Sequence, residues 1–105
     1  KLLFKKVFKN KTILGGGLTY KENVADLRNS IQLQIYKRLK KNRGNIFGFD
    51  PILDKDVAKK FRLVSSKKNF KNFDIYIILT NHTLIKEQLK KLGNDKVIFN
   101  IFTDK

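Results

Sequence analysis

Apolar positions recur along this chain with two different periods, and the switches between them mark its elements. Thr12, Ile13 and Leu14 make a short β-type run that three glycines, Gly15, Gly16 and Gly17, are expected to close. Further on, Leu27, Ile31, Ile35 and Leu39 fall four residues apart, with Leu33 and Tyr36 widening the stripe, so the spacing predicts an amphipathic helix from about Asn29. Asn29 is its expected N-cap, with Gln32 three residues on. Lys37, Arg38, Lys40 and Lys41 crowd its last turns, where cations complement the helix dipole, and Gly44 supplies the stop. Asn45–Phe49 reads as a second strand ending at the Asp50-Pro51 turn. Residues 54–60 read as a short helix capped by Asp54, Arg62–Val64 as a small strand, and Ser65–Asn72 as a polar, lysine-rich loop. Asp74–Leu79 is a near-continuous β-branched and aromatic run, as a strand covered on both faces requires. A helix carrying Leu84, Ile85, Leu89 and Leu92 follows Thr80-Asn81-His82-Thr83 and stops at Gly93. The last strand takes Val97, Ile98, Phe99, Ile101 and Phe102.

Strands alternating with helices predict an α/β fold: a Rossmann-like three-layer domain whose mostly parallel sheet of about five strands is flanked by helices. Such sheets bind ligands beyond the carboxyl ends of their strands. The glycine turn with Tyr20 and Lys21, Asp50, and Thr80–His82 all fall at that edge. Strand, glycine turn and helix in sequence can bring backbone N–H groups up to a phosphate, although the spacing here is not Gly-x-Gly-x-x-Gly. Asp50 fits either a ribose-hydroxyl ligand or an ordinary Asp-Pro turn. His82 has no nucleophile or metal cluster beside it in the sequence. It reads as a hydrogen-bonded residue at a helix start in preference to a general base.

Composition narrows these readings. With 105 residues, the chain has room for a single domain. No cysteine is present, which excludes disulfides and thiolate chemistry, and one histidine builds no histidine-rich metal centre. No apolar run approaches a membrane span, so the cytoplasm is the expected location. The net charge of +15 suits anionic ligands in general. Because 20 of the basic residues are lysines scattered along the chain, and only four are arginines, base readout in nucleic acid is not the expected use. Residues 1–10 carry apolar side chains at 2, 3, 4, 7 and 8 and read as the end of an upstream helix or linker, with a membrane-surface helix as the alternative.

The string Gly17-Leu18-Thr19-Tyr20-Lys21-Glu22-Asn23-Val24-Ala25-Asp26-Leu27-Arg28-Asn29-Ser30 resembles the block that opens the C-terminal domain of nucleotide-sugar dehydrogenases (the UDP-glucose/GDP-mannose dehydrogenase family). Phe49-Asp50-Pro51 and Phe73–His82 agree in order and spacing, so the likeness runs from about Lys11 to Ile101. It implies a domain that binds the UDP portion of a UDP-hexose or UDP-N-acetylhexosamine, within an NAD-dependent enzyme oxidising the sugar's C6 alcohol to a carboxylate. By that resemblance Tyr20, Lys21, Glu22, Asn23 and Asp26 contact the substrate, and Arg28 reaches toward NAD. NAD itself would be held by the parent enzyme and not by this domain alone. Upstream NAD-binding and dimerisation domains are the implied partners. The chain departs from the family in four places, one being Gly15 and Gly16, which stand where apolar strand residues usually precede the block. It lacks the family's nucleophilic cysteine, which lies in an upstream domain. Ile31 stands where a proline often follows the block, and Phe99-Asn100-Ile101-Phe102 holds no counterpart of a substrate-binding arginine. Two other readings stand beside this one: a small basic module for nucleic acid or another polyanion, and a domain that kept the fold but lost its ligand.

Overall fold

The computed structural model describes residues 11–42, 45–64 and 67–101. Four parallel strands form one sheet in the order β2-β1-β3-β4: β1 Ile13–Gly16, β2 Ile46–Phe49, β3 Ile75–Ile78 and β4 Val97–Asn100. In register, Gly16 of β1 stands between Phe49 of β2 and Ile78 of β3. Three α-helices connect the strands: α1 Ile31–Asn42, α2 Lys55–Lys60 and α3 Thr83–Lys90. The path runs from β1 outward to β2, then crosses back over to β3 on the opposite side of β1. Strand order therefore reverses between β1 and β3.

Alternation along the strands explains the layers, because successive side chains leave opposite faces. Ile13, Ile75 and Ile77 join Leu33 and Tyr36 of α1 in one buried cluster. Leu14, Tyr76 and Ile78 join Ile85 of α3, Phe70 and Phe73 in the other. Both faces are thus covered, as the apolar run in β3 predicts. Tyr36 lies directly on the sheet: a Cβ on Gly15 would sit 3.3 Å from its ring, and one on Gly48 would sit 2.9 Å from it. These glycines let α1 pack against bare backbone.

The structure corrects several sequence expectations. Gly15 and Gly16 belong to β1, and only Gly17, at φ 82°, makes the turn. The N-cap of α1 is Ser30, whose Oγ accepts the Leu33 N–H at 3.0 Å, while Asn29 takes a left-handed conformation at φ 56°. Arg62–Val64 is not a strand: Arg62 lies at φ 55°, and Val64 gives one N–H bond to Gly48 O at 2.7 Å, so among the described residues the sheet has four strands where about five are expected. Within the expected loop, Lys67–Asn72 forms a 3-10 helix that buries Phe70 edge-on against Phe49. Asp54 does cap α2, accepting the Val57 N–H at 3.0 Å. The reading of residues 1–10, the stop at Gly44 and the strand end at Phe102 lie outside the described residues.

At the amino edge of the sheet the Asp74 carboxylate accepts the backbone N–H of Thr12 at 3.0 Å and its hydroxyl at 3.2 Å. The backbone bond foremost holds this carboxyl below the ordinary 3.8. A depressed folded-state value stabilises the fold above the unfolded-state pKa, and that contribution disappears as pH falls through the folded-state value. Stability measured by urea denaturation is therefore expected to drop below about pH 4, and Asp74→Asn is expected to flatten this part of the profile. An unchanged slope in the variant would contradict the assignment.

Candidate functional site

The site is built on the loop between β1 and α1, whose backbone is fixed carbonyl by carbonyl. Leu18 O accepts the Ser30 hydroxyl at 2.5 Å, Thr19 O accepts the Thr80 hydroxyl, Tyr20 O accepts the Gln32 amide at 3.3 Å, and Lys21 O accepts the Thr19 hydroxyl at 2.9 Å. Ser30 thus caps α1 and ties the loop to it with one hydroxyl. Every one of these bonds is made by backbone, so the Tyr20 and Lys21 side chains are left on the surface, with Tyr20 half exposed.

Beneath the loop lies a buried polar knot. The Asp50 carboxylate accepts the Leu18 N–H at 2.7 Å and the Ile52 N–H at 3.2 Å. His82 Nε2 stands 3.1 Å from both Asp50 Oδ2 and Thr19 Oγ1, while Nδ1 accepts the Asn23 N–H at 2.8 Å. That bond to Nδ1 places the ring proton on Nε2. Because the Thr19 hydroxyl donates to Lys21 O, the Nε2–H is shared by Asp50 and Thr19 as acceptors. Asp50 is therefore the anchor of the loop and holds no hydroxyl-binding position, and His82 is the hydrogen-bonded residue at a helix start that the sequence favours. Their partnership spans 32 residues of sequence.

The expected site residues separate into two groups. Tyr20, Lys21 and Glu22 line a cleft of about 690 Å³ with Gln32 of α1, Leu79, Thr80 and Asn81 beyond β3, and Ile101 beyond β4. Glu22 also lies 3.8 Å from the Lys86 ammonium. Asn23 instead serves α3: at φ 61° its Oδ1 accepts the Thr83 N–H at 3.0 Å, and its amide donates to Thr83 Oγ1 at 3.1 Å. Asp26 accepts both Nε and Nη2 of Arg28 at 3.1 Å, and this pairing holds its carboxyl below the ordinary value. The Arg28 side chain is 87% exposed, and the pair with Asp26 uses two of its five N–H donors. Asn81 lies in the Thr80–His82 stretch that the sequence places at this edge, although the sequence gives it no separate role there.

The cleft opens where strand order reverses, between the carboxyl ends of β1 and β3, with the first turn of α1 on its rim. That is the ligand position of doubly wound sheets. The fold and the cleft define a Rossmann-like α/β domain of the nucleotide-binding kind. The model of the UDP-glucose/GDP-mannose dehydrogenase family, UDP binding domain, matches residues 14–103, and the chain belongs to that family.

Solved structures agree on the fold. The UDP-N-acetyl-mannosamine dehydrogenase Cap5O from Staphylococcus aureus superposes with a TM-score of 0.66 at 21% identity, over 94% of this chain and 28% of that one. The UDP-D-ManNAc dehydrogenase from Pyrococcus horikoshii gives 0.65 at 24% identity, over 99% of this chain and 27% of that one. The chain thus spans little more than a quarter of the length of these enzymes. No curated protein sequence matches it. Among the described residues, no helix is long and apolar enough to cross a membrane, and no group of three or more His, Cys, Asp or Glu could hold a metal ion.

Proposed function

We propose that this chain holds the UDP portion of a nucleotide sugar in the cleft between β1 and β3, as the substrate-nucleotide domain of an NAD-dependent sugar-nucleotide dehydrogenase working in the cytoplasm. The observation that carries this reading is the placement of Tyr20 and Lys21 together on the cleft rim, on a loop whose backbone is already satisfied. Lys21 supplies a cation for the diphosphate, Tyr20 a ring for the base or ribose, and the first turn of α1 the positive end of a helix dipole. Glu22 borders the same cleft. Asn23 and Asp26 serve it through the loop, one by docking it on α3 and the other by clipping Arg28. The sugar's oxidation, with the nucleophile and the NAD fold, belongs to further domains of the parent enzyme. The described residues offer NAD no glycine fingerprint, and Arg28 is the group that would reach it.

Among the described residues lining the cleft, Lys21 is the sole cation, and the segment where the resemblance would put an arginine, Phe99-Asn100-Ile101-Phe102, holds none. Binding should therefore depend strongly on Lys21. In calorimetric titration with UDP, Lys21→Ala is expected to weaken affinity about tenfold or more, with Lys21→Arg retaining most of it. No saturable binding by the wild-type chain at millimolar UDP, or equal affinity in Lys21→Ala, would overturn the proposal.

A further inference from the structure

We infer that Asn81 recognises a hydrogen-bond donor on the bound nucleotide sugar, an inference that rests on the function proposed above. Asn81 lines the cleft, and its Oδ1 is buried without a hydrogen-bond partner. The neighbouring polar groups are spoken for: Thr80 donates to Thr19 O, and the His82 ring is held by Asn23, Thr19 and Asp50. A buried acceptor left unpaired costs stability, and such a cost in a ligand cleft marks a group whose partner arrives with the ligand.

The chemistry of that partner is restricted. Diphosphate oxygens are acceptors and cannot satisfy a carbonyl oxygen, so the missing partner of Asn81 Oδ1 is not the diphosphate. The donors of a nucleotide sugar are the imide N–H of uracil and the hydroxyl or amide N–H groups of ribose and sugar. The partner of Asn81 Oδ1 is therefore a donor on the base, ribose or sugar. Leu79 and Ile101 line the same cleft, and apolar surroundings make a neutral hydrogen bond there more discriminating.

The test is Asn81→Ala in the 105-residue chain, titrated with UDP, UDP-N-acetylmannosamine and inorganic pyrophosphate, with thermal unfolding measured in the absence of ligand. The variant is expected to bind UDP-N-acetylmannosamine about tenfold more weakly, to bind pyrophosphate as the wild type does, and to unfold at the same or a higher temperature, because an unpaired buried acceptor has been removed. An equal loss toward UDP assigns the donor to uridine; a loss confined to the UDP-sugar assigns it to the sugar. Unchanged affinity for both nucleotides overturns the inference, as does an equal loss for pyrophosphate or a melting temperature lowered by more than about 5 °C. A wild-type chain that binds none of the three overturns the proposed function, and the role of Asn81 with it.

Discussion

Gly17→Ala is expected to cost more than about 3 kcal/mol of folding stability and to remove the binding loop with it. Gly17 lies at φ 82°, where an L side chain already costs about 1–2 kcal/mol. A Cβ there would stand 2.1 Å from the carbonyl oxygen of Thr80 and 2.7 Å from its nitrogen. Those are backbone atoms, and neither side can retreat. The Gly17 N–H bonds Phe49 O at 2.9 Å, and Gly16 O accepts the Leu79 N–H at 2.8 Å. Gly16→Ala is the internal control. Its added Cβ would meet the end of the Ile78 side chain at 3.1 Å, which can rotate, so about 1 kcal/mol is expected. Urea denaturation compares the two directly, and a larger loss at Gly16 than at Gly17 would contradict this account of the turn.

Asp50→Ala is the second large effect, expected at about 3–5 kcal/mol. The Asp50 and His82 side chains are fully buried, and the carboxylate accepts from Leu18, Ile52 and His82. Truncation strands the Leu18 N–H of the loop and the Ile52 N–H, and it leaves the His82 N–H with Thr19 alone. Asp50→Asn can keep an oxygen at the Oδ2 place for both Leu18 and His82, but its NH2 then faces the Ile52 N–H, so an intermediate loss is expected. Denaturation of both variants checks the order. A cost below about 1 kcal/mol for Asp50→Ala would mean that the knot does not hold the loop.

Much of this architecture could be read from local pattern, and what could not depends on contacts distant in the chain. The β3 run, the α1 stripe and the Asp54 cap are set by neighbours a few residues away, and all three stand where the pattern puts them. Three glycines in a row look like one turn, yet Gly15 and Gly16 extend the strand because Tyr36 and Ile78 fill the space their missing side chains leave. Asn29 and Ser30 are both good caps by residue type. The choice of Ser30 is made by Leu18 O, 12 residues back, which takes the same hydroxyl's proton.

The candidate site shows the same division. Tyr20 and Lys21 reach the cleft as their place after the glycine turn implies. The roles of Asp50, His82 and Asn23 arise only when β1, β2 and α3 meet at one edge. Two of the lysines that raise the net charge are likewise engaged by the fold: Lys40 donates to Ile46 O at 2.9 Å and stands 5.0 Å from the Phe47 ring centre, while Lys37 stands 5.6 Å from that of Phe61.

Backbone amide shifts of the chain, followed by NMR during titration with UDP, test the central claim most directly. The account predicts saturable shifts concentrated at Thr19–Glu22, Ile31–Gln32, Leu79–Asn81 and Ile101. Shifts that fail to saturate, or that gather instead on the lysine-bearing end of α1 or at the amino edge around Asp74 and Lys96, would contradict it.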